Sequence, residues 1–247
     1  MIGCSPPVPY GTGRRFASVC TANRRHVDAL VLGEIARLRP TRILDVGCAN
    51  GRFARELDFA TVIGIELDEE LAALAAEVCD EVLVGDVEMA TTLEAAEAFG
   101  PYEAVLALDV IEHLVAPETA LRRLSTLLVA EGRLVLSVPN LLYYRERLRL
   151  LSGRFETSPT GGVYDATHLH YFSQRELEHT LERAGLVVER LVGAGNVRPG
   201  RRIASWPYPA RLGHRLASAL AHTSARVRPQ LFARAFVVVA RPREAAR

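Results

Sequence analysis

Short, almost uninterrupted apolar runs alternate with stretches of helical period along most of this chain, and that alternation restricts its fold more than any other feature. The runs are RILDV (42–46), VIGIE (62–66), EVLVGD (81–86), AVLALDV (104–110) and RLVLSVP (133–139). A strand with one wet face alternates apolar and polar residues, whereas a strand apolar throughout must be covered on both faces. Helical spacing fills 24–38, a segment from about Arg52, and 67–79, 117–128 and 174–184. Pro40 ends the first of these, because proline has no N–H to continue a helix. Acids open the 67–79 segment, where the helix dipole favours them. Ser173 followed by Glu176 reads as a capping box. Buried strands joined by helices predict an α/β, doubly wound, mostly parallel sheet, which binds ligands beyond the carboxyl ends of its strands.

The final third breaks the rhythm. Segments 186–195 and 232–241 read as two further strands, separated by an Arg-, Pro- and Ala-rich insert at about 196–231. Within it, 210–227 carries Leu212, Leu216 and Leu220 at the spacing of an amphipathic helix. That helix reads either as a lid or side subdomain, or as a segment lying on a membrane surface. Residues 1–23, with Pro6, Pro7 and Pro9, are expected to form an N-terminal arm ahead of one domain over 24–247.

All 30 basic residues are arginine, and 11 of them fall in 196–247 beside a single acid, Glu244. This asymmetry, hidden in a net charge of +1, marks either a docking surface for an anionic partner or a solvated helical face. Cys4, Cys20, Cys48 and Cys79 form no CxxC pair, and no histidine stands at metal-ligand spacing from them. Neither a disulfide framework nor a metal is expected. Prolines occupy the place of a signal peptide's apolar core, and no apolar run approaches the ~20 residues that span a bilayer, so a cytoplasmic location is expected.

The strand ends carry the candidate chemistry. Leu44-Asp45-Val46-Gly47-Cys48-Ala49-Asn50-Gly51 runs from a strand into a turn with glycine at both ends of a five-residue loop. Glycine there admits positive φ and close backbone approach to a ligand. Glu66 ends the next strand, where an acid can accept both hydroxyls of a ribose; Asp86 and Asp109 end the third and fourth. Acids at successive strand ends are hard to explain as solvated surface. A dinucleotide fingerprint would need glycine where Ala49 and Arg52 stand, which disfavours a pyrophosphate.

Taken in order, D-V-G-C-A-N-G, I-E-L-D, G-D-V-E, L-D-V-I-E-H-L and the V-P-N strand end resemble the motifs of class I S-adenosylmethionine-dependent methyltransferases, over roughly residues 25–195. The resemblance implies a Rossmann-like, seven-stranded sheet whose last strand is antiparallel. It implies that Asp45, Gly47, Cys48 and Gly51 lie under the methionine part of S-adenosylmethionine. Glu66, with Leu67 after it, would hold the ribose, Asp86 and Val87 would lie beside the adenine, and Asp109 would border the sulfonium. Cys48 itself reads as small and buried rather than reactive.

Two histidine groups compete for the catalytic role. The string Asp109-Val110-Ile111-Glu112-His113-Leu114 resembles a subset that includes ubiquinone-type O-methyltransferases. The string from Tyr164 to Ser173, with His168 and His170, resembles a loop shared by that subset and related small-molecule methyltransferases. His168 and His113 are therefore the candidate bases, and Tyr164, His170 and Asn140 the candidate substrate contacts, although a lone histidine is more often structural and Asn140 also suits a turn after Pro139. The expected activity is methyl transfer to a small-molecule acceptor, an oxygen of a quinone-like, lipid-linked or sugar substrate. N-methylation and a non-catalytic, cofactor-binding regulator stand as alternatives. No added RNA-binding module is visible, which argues against a nucleic-acid substrate, and nothing in the sequence gives the oligomeric state.

Overall fold

The apolar runs pair into one seven-stranded sheet. The computed structural model describes residues 25–158, 161–195 and 223–243. Its strands are β1 (Arg42–Val46), β2 (Thr61–Glu66), β3 (Glu81–Val84), β4 (Tyr102–Leu108), β5 (Leu128–Pro139), β6 (Leu186–Ala194) and β7 (Ala235–Pro242). The order is β3-β2-β1-β4-β5-β7-β6. The first five are parallel, and β7 runs antiparallel to both neighbours, between β5 and β6. Chain order reverses between β1 and β4, the place where such sheets open a ligand crevice. Val46 is in register with Ile65 and with Ala107, so Gly47, Glu66 and Asp109 emerge along one edge.

Successive residues of a strand face opposite layers, so the continuous apolar runs feed two cores. Ile43 joins Val31 and Ile35 of helix α1 (Arg25–Leu38), while Leu44 joins the opposite cluster. The remaining helices are α2 (Glu69–Ala75), α3 (Ala90–Glu97), α4 (Pro117–Thr126), α5 (Tyr144–Leu151), α6 (Gln174–Arg183) and α7 (Pro229–Phe232); Ala75 of α2 joins the α1 side, while α3, α4, α6 and α7 pack on the Leu44 side. Asp68 caps α2 by accepting from the Leu71 N–H at 3.0 Å. Ser173 caps α6 by accepting from the Glu176 N–H at 3.1 Å. Only that half of the expected capping box forms, since the Glu176 carboxylate pairs instead with Arg183.

The helix expected from Arg52 is reduced to a 3-10 turn at Ala54–Glu56. Arg52 is held there by a two-pronged pair with Asp28 of α1, at 2.6 and 3.2 Å, and the chain must return to β2 by Thr61. Strand β5 starts at Leu128 rather than 133, which ends α4 early, and α7 delays β7 to Ala235. Helices α3 and α5 were not expected. The N-terminal arm and most of the 196–231 insert lie outside the described residues. Its end is described: 223–227 is helical, and Ala225 and Ala233 are fully buried in the core.

Candidate active site

The turn after β1 is a bare backbone cradle. Gly47 and Gly51 take φ of 68° and 69°, and Ala49 joins them at 51°. A side chain at Gly51 would place its Cβ 2.3 Å from Val78 Cγ2, so glycine is required on steric as well as conformational grounds. The Gly47 and Cys48 N–H groups donate to Ile65 O at 2.8 and 3.1 Å, tying the turn to the end of β2. Cys48 is buried and hydrogen-bonded to Cys79, which raises its thiol pKa and leaves it an inert packing group.

Glu66 is the keystone of this edge. Its Oε2 accepts from the Ala49 N–H at 2.8 Å, and its Oε1 accepts from the Leu67 and Asp68 N–H groups at 2.9 and 3.0 Å. A carboxylate has about four acceptor positions, so capacity remains for a ribose hydroxyl. Asp45 sits beneath the loop, buried, and its Oδ2 has no hydrogen-bond partner among the described residues. Burial first, and the nearby Glu66 carboxylate second, push its pKa up from 3.8 to about 7. Asp86 accepts from the Glu88 N–H at 2.8 Å beside the buried Val87. Leu67 is exposed next to Glu66. Asp109 adopts a φ of 55°, and its Oδ1 accepts from the buried Ser137 hydroxyl at 2.6 Å. An orphaned buried carboxylate oxygen and three further acids at one edge suit a ligand with a cationic end and a ribose, not a pyrophosphate.

The two candidate bases converge. His113, in a 3-10 turn at Ile111–His113, meets His168 edge to face with ring centroids 4.7 Å apart. Carbonyl oxygens only accept, so the His113 Nδ1 facing Thr167 O at 3.2 Å and the His168 Nδ1 facing Val163 O at 3.0 Å both carry hydrogens. The basic nitrogen of each ring is therefore Nε2. Thr167 Oγ1 also stands 3.1 Å from His113 Nδ1 and donates to Asp165 Oδ1 at 2.6 Å. Asp165 and Thr167 thus orient His113; the D-x-T step in the sequence was the available signal for them. Burial, and next the neighbouring His168, hold the His113 pKa below its usual value. Ligand atoms of Glu112, His113 and His168 all lie within 4.8 Å of one another, an arrangement able to hold a divalent cation. Linear spacing concealed this group, because His168 reaches it only through the fold.

The candidate substrate contacts separate. Asn140 takes the turn alternative read for it beside the substrate one: it is 0% exposed, its Nδ2 donates to Ala233 O at 2.8 Å, and its Oδ1 accepts from the Leu142 N–H at 2.9 Å. Its amide clamps the chain between α7 and β7 and has nothing to offer an acceptor. His170 stacks on Phe172 and lines a cavity of ≈ 540 Å³ with Val115, Tyr171 and Arg183, a cavity that His113 and His168 do not line. Tyr164 is buried between Phe155 and the Arg149 guanidinium, and its hydroxyl has no hydrogen-bond partner among the described residues.

A family model described as a methyltransferase domain matches residues 21–191. The chain belongs to that methyltransferase family. The ubiquinone biosynthesis O-methyltransferase of Xanthomonas axonopodis pv. citri is 31% identical to it over 173 residues, covering 64% of this chain and 68% of that protein. The mitochondrial ubiquinone biosynthesis O-methyltransferase of Bos taurus is 32% identical over 161 residues, 62% of this chain but only 43% of the bovine protein. The fold matches that of a SAM-dependent methyltransferase from Archaeoglobus fulgidus, with a TM-score of 0.51 at 17% identity, covering 86% and 93% of the two chains. It also matches magnesium protoporphyrin IX methyltransferase from Synechocystis with bound SAH, with a TM-score of 0.52 at 16% identity, covering 94% and 84%. The cradle at Asp45, Gly47, Gly51 and Glu66 has the backbone donors, spare acceptor positions and orphaned carboxylate oxygen that could hold S-adenosylmethionine.

Proposed function

We propose that this methyltransferase transfers the methyl group of S-adenosylmethionine to a hydroxyl oxygen of a small-molecule acceptor, of a quinone-like, lipid-linked or sugar type. The observation that carries the reading is the His113–His168 pair, whose basic Nε2 atoms stand beyond the strand end that bears Asp109. The bound cofactor would supply a methyl group already activated on positively charged sulfur. What remains for the chain is to hold the acceptor in line with that methyl, to exclude water, and to take the hydroxyl proton. Burial lowers the His113 pKa and so favours its neutral form, with Nε2 as the accepting nitrogen, and Thr167 with Asp165 fixes its ring. The O-methylating relatives favour oxygen over nitrogen as the acceptor atom.

The Glu112, His113 and His168 group favours a second form of the same reading. A divalent cation held there would polarise the acceptor hydroxyl as a Lewis acid, in place of direct proton transfer to imidazole.

The deciding experiment is a demethylated-cofactor release assay on a panel of catechols, phenols, sugars and amines. Turnover of hydroxyl acceptors supports the reading. Turnover of amines alone replaces it with N-methylation, and tight cofactor binding without turnover of any acceptor favours a regulator.

A further inference from the structure

Helix α5 buries none of its side chains. Its sequence, YRERLRLL, sets Tyr144, Leu148 and Leu151 on one stripe, with Arg145, Arg147 and Arg149 on the flanks. On a helix of a globular domain such a stripe faces the core. Here the helix is held at its first turn, where the Tyr144 ring packs on Tyr143 and Phe232, and at Arg149, which lies over the Tyr164 ring and pairs with Glu156. The leucines of the stripe turn outward: Leu148 is 60% exposed and Leu151 84%.

The helix then reverses in a Schellman turn. Gly153 takes φ 73°, its N–H donates to Leu150 O at 2.9 Å, and the Arg154 N–H donates to Arg149 O at 3.0 Å. The reversal brings Phe155 back beside the helix, 59% exposed, with its ring edge-on to Tyr164 at 5.1 Å. Single exposed apolar residues are ordinary, but large ones grouped on one protrusion mark a contact surface. The same segment carries Arg145, Arg147, Arg149 and Arg154 against Glu146 and Glu156, so the apolar tip has a basic rim.

We propose that α5 and the turn to Phe155 form a docking surface for an anionic lipid bilayer. Leu148, Leu151 and Phe155 enter the acyl boundary, and the exposed Arg145, Arg147 and Arg154 stay at the level of the headgroup phosphates. An acidic peptide would satisfy the arginines and leave the leucines in water, whereas an anionic bilayer satisfies both. No helix among the described residues is long and apolar enough to cross a membrane, so the contact is peripheral. The surface adjoins the candidate site: Tyr164 lies 6.4 Å from Tyr171, whose ring is 6.2 Å from that of His168. Docking here would present an acceptor with a long apolar tail directly to the histidine pair. That last clause rests on the proposed function; the docking itself does not.

The test is flotation of the full-length protein with vesicles of phosphatidylcholine alone, or mixed with phosphatidylglycerol, with no cofactor or acceptor added. The protein is expected to float with the mixed vesicles and to stay in solution with phosphatidylcholine. The double variant L148E/L151E, whose side chains make no core contact, should lose at least about tenfold in partitioning while keeping its melting temperature. R145E/R154E should lose the preference for anionic lipid. Undiminished flotation of L148E/L151E overturns the proposal. So does failure of the wild type to float, or a finding that the leucine variant only converts a dimer to a monomer, which would make the face a self-association surface.

Discussion

The imidazoles of His113 and His168 stand edge to face, 4.7 Å apart, each pinned through Nδ1 to a backbone carbonyl of the 163–168 loop. The loop therefore both contributes one histidine and orients the other. His168→Ala and His113→Ala should each lower kcat by about 10²–10⁴, the range for a lost general base. Neither should change cofactor affinity, since neither belongs to the cradle. Titration calorimetry with S-adenosylmethionine beside steady-state rates checks this, and a parallel loss of affinity would show that the loop had collapsed.

Glu66 joins the cradle to the end of β2 through three backbone N–H groups, so its removal acts twice. Glu66→Ala should weaken S-adenosylmethionine binding by about 1–3 kcal/mol by stripping charge-assisted hydrogen bonds. It should also lower the melting temperature of the ligand-free protein, which a pure ribose contact would not do. Glu66→Gln, which cannot accept from three N–H groups at both ends, should recover only part of either quantity. Unchanged affinity in both variants would remove Glu66 from the cofactor site.

How far the sequence disclosed this site depended on locality. The glycine turn and the strand-end positions of Glu66, Asp86 and Asp109 were legible because strand ends and glycine turns are local patterns. The burial of Asn140 was not legible, because a position after a strand end does not reveal that α7 folds over it. The proximity of Glu112, His113 and His168 was invisible for the same reason, being a product of the loop's return over the sheet. The helix expected from Arg52 failed because the Asp28 pair and the short path to β2 outweighed helical spacing.

Asp45 gives a pH dependence of definite sign. Its folded pKa of about 7 lies above its ordinary 3.8, so between those values the folded chain holds a proton that the unfolded chain has released. The stability it contributes is full below pH 3.8 and is lost as pH rises to about 7. A cationic ligand end above the orphaned oxygen would favour the ionised form. Cofactor affinity should therefore climb with pH, by at most about tenfold per unit, and level off above the Asp45 pKa. Asp45→Asn should flatten that profile; a profile unchanged by the substitution would place the cationic end elsewhere.

Asn140 should behave as a fold residue. Its amide satisfies Ala233 O and the Leu142 N–H in a fully buried setting, so Asn140→Ala should cost about 1–3 kcal/mol of stability. KM for the acceptor should not move at temperatures where the variant is folded. A selective rise in KM with normal chemical stability would return Asn140 to the substrate wall.

The two forms of the proposed chemistry separate on metal removal. If Glu112, His113 and His168 hold a divalent cation, dialysis against a chelator should abolish turnover, and magnesium, manganese or zinc should restore it. Glu112→Gln should then weaken metal binding, read by calorimetry with the metal alone, in step with the loss of kcat. If His113 acts directly as the base, chelation leaves kcat unchanged. Glu112→Gln would then leave kcat nearly unchanged, because the proton transfer to imidazole does not pass through its carboxylate. Thr167→Val gives an independent reading. It removes the hydroxyl that links Asp165 to His113, and should lower kcat without moving KM, whether the histidine carries a proton or a metal.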